Sequence, residues 1–258
     1  MSALSFNNRN VQMLRRLLGR RSARHAEGCF VVEGPVLVAE AVAAGWKCIA
    51  QYAPIDSDAQ VPGAGPLNEL GAGVLERIAT TESPQAPLAL VRMPHAPDVG
   101  AVVGAATFVV VLDRVADPGN LGTVLRSAEA AGADLVVLTP GSVDAFNPKA
   151  IRASAGAIFH VPVVVATLEE LAAADIRLIG TTSHDAPGRT VVNHIDVDWS
   201  GRVAIVLGNE AAGLPSEWTD EDGPIGEWVT IAHQGRSESL NVAMAATVIA
   251  FEAARHRS

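Results

Sequence analysis

Residues Val109 to Gly132 read VVVLDRVADPGNLGTVLRSAEAAG. A short apolar run, a tight loop holding Pro118, Gly119 and Gly122, and a helix-forming stretch follow one another directly. That order predicts a buried strand, a glycine turn and a helix whose free N–H groups face the turn, a geometry that favours a polar or anionic ligand. Neither GxGxxG nor GxxxxGK with a following Ser or Thr is present. A dinucleotide fingerprint and a phosphate-binding P-loop are therefore unsupported, and a Rossmann-type dehydrogenase with them. Asn120 lies in the loop and Arg126 follows about one and two-thirds helical turns later, so both can face one cleft. Taken alone, the pair reads more simply as a turn asparagine and a solvated helical arginine.

Working outward, strand-like runs recur at Thr107 to Leu112, Leu135 to Leu138, Val161 to Val165, Arg177 to Gly180, Val203 to Leu207 and Trp228 to Ile231, with helix-like segments between several of them. This is the texture of an α/β fold with a largely parallel sheet covered on both faces. Ligands of such sheets sit at the carboxyl ends of the strands. Two further stretches end strands in glycine and polar groups. Val203 to Leu214 reads VAIVLGNEAAGL, placing Gly208 and Glu210 at a strand end, where Glu210 can equally cap the next turn. Val229 to Met244 reads VTIAHQGRSESLNVAM, where Ser239 and Asn241 flank Leu240. Ser237 and Ser239 are candidate caps for a closing helix, Leu240 to Arg255.

The first part of the chain has a different texture. A helical pattern at Arg9 to Leu18, a strand at Cys29 to Val32, a helix at Pro35 to Ala44 and strands at Ala50 to Tyr52 and Ala86 to Arg92 predict a small α/β module. Asp56 to Glu69 is rich in Pro, Gly and Asp and reads as loops around small elements. Met93 to Gly104, with two prolines and two glycines, is the linker candidate. The expected division is 1–96, a linker at 97–104, and 105–258.

The chain has 258 residues, 49% of them hydrophobic, enough for one or two packed cores. Its net charge of −9 conceals a basic arm: Arg9, Arg15, Arg16, Arg20, Arg21 and Arg24 stand among the first 30 residues with one acid, Glu27. Such a cluster suits nucleic-acid phosphates; a solvated amphipathic helix accounts for it equally, and an organelle presequence is a lesser third reading. No apolar run reaches the ~20 residues of a membrane span. Cys29 and Cys48 cannot make a disulfide framework or a four-thiolate zinc site, and no signal-peptide core begins the chain, so a reducing cytoplasm is expected. The histidines, among them His184, His194 and His233, show no metal-ligand spacing, and no nucleophile elbow is present. The acidic run Asp220 to Asp222 reads as a solvated loop.

Asn120 with Arg126, then Gly208-Asn209-Glu210, then Ser239-Leu240-Asn241-Val242, in this order, closely resemble the three motifs of the SpoU/TrmH-type RNA ribose 2′-O-methyltransferases. The likeness spans residues ~105 to 255. CFVVEGPVLVAEAVAAG, Cys29 to Gly45, is similar to the L30-like substrate-binding domain that many members carry, and the thiostrepton-resistance branch of ribosomal RNA methyltransferases is among those it resembles.

The resemblance implies a SPOUT α/β domain with a deep trefoil knot, which general topology rules would not suggest. It implies S-adenosylmethionine bound near Thr181, Leu207, Gly208, Ile231 and Leu240, with Asn120, Arg126, Glu210, Ser239 and Asn241 as the catalytic and substrate-facing set. It further implies a homodimer and a structured RNA substrate, ribosomal before transfer RNA, with no DNA and no membrane partner. A catalytically silent RNA-binding or ribosome-assembly factor is the alternative of another class. Many relatives have Pro-Met where this chain has Ala232-His233, which alters the wall expected beside the adenine.

Overall fold

The structure, a computed structural model, describes residues 3–95, 97–183, 190–209, 212–215, 218, 223–232, 234–236 and 239–257. The chain divides into two units, Met1–His95 with Phe146–His160, and Ala96–Ala145 with Val161–Ser258.

In the first unit, Asn8 Oδ1 accepts the Asn10 N–H at 2.9 Å and starts α1 (Arg9–Gly19), which buries Val11, Leu14, Leu17 and Leu18 at helical spacing. Extended Arg20 breaks the helix, and α2 (Arg21–Glu27) follows where the residue pattern predicts no separate element. Then come β1 (Cys29–Glu33), α3 (Pro35–Ala43), β2 (Cys48–Pro54), β3 (Leu67–Leu70), α4 (Val74–Ile78) and β4 (Leu88–Arg92). The sheet runs β1-β4-β2-β3, with only β2 and β3 parallel. Strand β3, LNEL, is a small element at the end of the loop-rich stretch, its alternation too short to register as a pattern. Non-local bonds hold it: Leu4 N donates to Glu69 O at 2.7 Å, and Gly71 N to Leu4 O at 2.9 Å.

The second unit opens with a helix. Residues expected as linker form α5 (Val99–Ala105), capped by Asp98 Oδ1, which accepts from Ala101 N at 3.1 Å, and Val103 of this helix is fully buried. After β5 (Phe108–Leu112), α6 (Pro118–Ala130) and β6 (Leu135–Leu138), residues 146–160 belong to the first unit and carry α7 (Pro148–Ala153). Aromatic burial explains this: Phe146 packs on Phe30 with ring centroids 4.6 Å apart, and the Trp46 indole N–H donates to Phe159 O at 3.0 Å. The second unit resumes with β7 (Val163–Val165), α8 (Leu168–Ala172), β8 (Arg177–Thr181), β9 (Val191–Asn193), β10 (Val203–Leu207), β11 (Glu227–Thr230) and α9 (Val242–Arg255).

Its sheet runs β7-β6-β5-β10-β8-β11-β9, and every pairing is parallel. Both β5 and β10 are buried along their whole length, as their uninterrupted apolar sequences require. Leu112 pairs with Leu207 and with Leu138, Val206 with Gly180, and Thr181 with Val229. Parallel strands send their carboxyl ends to one edge, so the loops after β5, β6, β8, β10 and β11 emerge together there. No described helix is long and apolar enough to cross a membrane.

Candidate active site at the carboxyl edge

Helix α6 starts from Asp117, whose Oδ1 accepts the Asn120 N–H at 2.9 Å, and Pro118 occupies the first turn. It buries Leu121, Gly122, Val124, Leu125 and Ala128 and leaves Arg126 exposed. Helix α9 starts from Asn241. Its Oδ1 accepts from Ala243 N at 2.9 Å and Met244 N at 3.4 Å, while its Nδ2 donates to Asn120 Oδ1 at 3.1 Å. Asn241, and not Ser239, is therefore the cap; Ser239 precedes it by two residues and is exposed. Two turns further on, the Ser127 and Thr247 hydroxyls meet at 2.6 Å. Because Thr247 gives its proton to Ala243 O at 2.8 Å, Ser127 is the donor of that pair. The two contacts fall in the same order along α6 and α9, so the helices run parallel and bring their electropositive N-termini together.

The loop after β10 completes the convergence. A Cβ on Gly208 would lie 2.4 Å from Gly213 C and 2.5 Å from Leu214 N, so only glycine admits this return of the backbone. Asn209 N donates to Gly213 O at 3.2 Å and Gly213 N to Asn209 O at 2.9 Å. Asn209 Nδ2 donates to Arg114 O at 2.8 Å, tying this loop to the one after β5. The structure thus joins the first stretch to the second through Arg114 and Asn209, and to the third through Asn120 and Asn241. Glu210, Ser237, His233, His184 and Asp220 to Asp222 lie outside the described residues.

Thr181 ends β8, Leu207 ends β10 and Ile231 follows β11, on adjacent strands, while Leu240 precedes α9 with 38% of its surface exposed. Apolar side chains and a threonine hydroxyl at neighbouring strand ends suit an adenosyl group, whose ring faces are apolar and whose ribose is polar. Leu240 is an apolar surface such a ligand can cover.

On the first unit, Arg9, Arg15, Arg16, Arg20 and Arg21 are exposed, and Arg16 reaches Glu27 at 3.5 Å. Arg24 departs from the expected set. It is 3% exposed, and its Nη1 donates to Leu17 O at 2.7 Å, satisfying a carbonyl in the last turns of α1. Arg77 was not legible as part of the basic face. Its guanidinium lies 3.6 Å from the Phe6 ring centroid, with that of Arg15 at 5.7 Å, and the three residues come from separate segments. Burial raises the thiol pKa values of Cys29 and Cys48, which keeps both protonated and poor nucleophiles.

Residues 107–251 match the SpoU rRNA Methylase family. The chain belongs to that family. Residues 8–89 match the MRM3-like substrate binding domain. Among curated relatives of this SpoU methylase, the 23S rRNA (guanosine(2553)-2′-O)-methyltransferase RlmP of Bacillus subtilis is 31% identical over 264 residues, covering 96% of each chain. The 23S rRNA (uridine(2479)-2′-O)-methyltransferase of Streptomyces viridochromogenes is 30% identical, covering 98% of this chain and 92% of that protein. The crystal structure of the SpoU methyltransferase AviRb from the same organism, in complex with AdoMet, superposes with a TM-score of 0.84 over 97% of this chain and 98% of that one, at 30% identity. This SpoU methylase is an enzyme, and its α/β fold with a mostly parallel sheet is that of the family.

Proposed function

We propose that this methylase transfers a methyl group from S-adenosylmethionine to a ribose 2′-hydroxyl of 23S ribosomal RNA. The observation that carries the reading is the Asn120–Asn241 hydrogen bond beside the Asn209–Arg114 one, which brings three separated polar turns to one sheet edge. The relatives named above act on guanosine and on uridine. A site for the sugar, with the base chosen elsewhere, accommodates both.

When bound, S-adenosylmethionine supplies an electrophilic methyl group on a sulfonium. Thr181, Leu207, Gly208, Ile231 and Leu240 would hold it. The remaining task is to orient a ribose hydroxyl in line and accommodate its proton. Arg126 is unsuited to be the base, because a guanidinium offers only N–H donors and no lone pair to take a proton. Its exposed cation instead binds the target phosphate and stabilises charge developing on the 2′-oxygen, while the proton passes to phosphate or water. Asn120, Asn241 and Ser239 orient the sugar.

Arg9, Arg15, Arg16, Arg20 and Arg21, with Arg77, form the RNA-binding face; five of these come from the basic arm. A homodimer is part of the same reading. Met244, Val248 and Phe251 recur along α9 at 63%, 39% and 49% exposure, an apolar stripe that a second copy would cover. The family's trefoil knot is supported by the place of β10, which enters between β5 and β8 after both are laid down. Free Cys29 and Cys48 agree with a cytoplasmic home.

The test is methyl incorporation from labelled S-adenosylmethionine into separated 23S, 16S and transfer RNA from a strain lacking the enzyme. Label in 23S RNA is expected. Label in transfer RNA alone would reassign the substrate, and no label in any RNA would leave the silent binding factor standing instead.

A further inference from the structure

A buried polar chain lies behind the described convergence and reaches a strand that carries none of the three motifs. Asp113, directly after β5, is 1% exposed. Its Oδ1 accepts from the Thr139 hydroxyl at 2.6 Å and its Oδ2 from Arg114 Nε at 2.9 Å. Thr139, directly after β6 and 4% exposed, also accepts the Arg114 N–H at 3.0 Å. Between these two anchors Arg114 adopts φ 48°, a left-handed conformation uncommon for a residue with a Cβ. That turn aims the Arg114 carbonyl at Asn209 Nδ2, 2.8 Å away. Asn209 in turn is paired with Gly213 through both backbone groups, and Gly208 packs directly on that return.

We propose that Thr139 and Asp113 are positioning residues for the methyl-donor site: they lock the Arg114 turn, and the Arg114 carbonyl fixes the described part of the loop after β10, Gly208 and Asn209 with Ala212 and Gly213, in its binding shape. The proposal rests on the reading that this loop helps hold S-adenosylmethionine. The physical argument is preorganisation. Asp113 and Thr139 are removed from water, so each needs its partner, and an arrangement with every group satisfied has one geometry. A loop already in its bound shape spares binding the cost of ordering it. The chain is directional, since Thr139 donates to Asp113 and accepts from Arg114, so removing the single hydroxyl leaves both of its partners short of a bond.

The experiment compares Thr139→Val, Thr139→Ser and Asn209→Asp in the full chain, measuring S-adenosylhomocysteine affinity by calorimetry and amide hydrogen exchange without ligand. Asn209→Asp removes the donor to Arg114 O and keeps the acceptor that receives the Ala212 N–H at 3.1 Å. Thr139→Val and Asn209→Asp should each weaken binding by about tenfold, the loss of one or two buried hydrogen bonds. Thr139→Ser, which keeps the hydroxyl, should restore affinity. Exchange should quicken at Asn209, Ala212 and Gly213 in Thr139→Val, while the amides of β5 and β10 keep their protection. Wild-type affinity in both weakened variants would overturn the proposal, as would a uniform rise in exchange, which marks a general loss of stability. Failure of the wild-type protein itself to bind S-adenosylhomocysteine would instead sink the underlying reading of the loop.

Discussion

Asn241 Nδ2 donates a hydrogen bond to Asn120 Oδ1 at 3.1 Å, across 121 positions of sequence. The same side chain caps α9 through its oxygen, so one asparagine both starts a helix and joins two motifs. The two roles separate by substitution. Asn241→Ala should cost about 1 kcal/mol of stability as a lost cap and lower methyl transfer roughly 100-fold. Asn241→Ser keeps a capping oxygen and loses the reach to Asn120, so urea denaturation should show recovered stability while turnover stays low. Recovery of both together would separate Asn241 from the chemistry.

Arg126 is exposed on α6, on the side away from its buried residues. Arg126→Ala should reduce the rate of transfer at saturating RNA by roughly 100-fold, the scale of removing one oriented cation or donor, and leave S-adenosylhomocysteine affinity unchanged. Single-turnover kinetics beside calorimetry measures the two. Full turnover by this variant rejects the assigned role.

The five exposed arm arginines and Arg24 make opposite predictions. Replacing Arg9, Arg15, Arg16, Arg20 or Arg21 with Gln should lower the slope of log affinity against log salt by roughly 0.7 to 0.9 for each phosphate left without its cation, read by filter binding to ribosomal RNA fragments. Arg24→Gln should leave that slope alone and lower the unfolding free energy by about 1–3 kcal/mol, because Leu17 O loses its buried donor.

Asp134 supplies a pH dependence away from the site. Burial alone would raise its carboxyl pKa, but the Thr107 N–H, the Phe108 N–H and the Thr107 hydroxyl, all donating to Oδ2, outweigh burial, and with Arg257 bring it below the ordinary 3.8. A carboxylate depressed on folding contributes stability above its unfolded pKa and loses it as pH falls through the folded value. Unfolding free energy should therefore fall as the pH drops below about 3.8, and Asp134→Asn should flatten that part of the profile in denaturant titrations.

The parts of this architecture that are legible in the sequence are those with strong local signals. VVVL before DRVADPGN and VAIVL before GNE are buried parallel strands because no polar residue interrupts them, and their expected ends lie within a residue of the observed ones. Helix α5 is hidden by Gly100, Gly104 and Pro97, which mark linkers by composition yet tolerate a helix once Asp98 caps it. Strand β3 is hidden because its partners, Leu4 and β2, are remote in sequence. The same holds at the site. Asn120, Asn209 and Asn241 stand out through their motifs, whereas Thr139 closes an ordinary strand and gains meaning only from Asp113, 26 positions earlier.

The most direct measurement of the central claim is chemical. RNA methylated in vitro with label in the methyl group is hydrolysed in alkali, which cleaves only next to a free 2′-hydroxyl. Label recovered in alkali-stable dinucleotides is the result this account predicts. Label recovered in mononucleotides would place the methyl group on a base and contradict it.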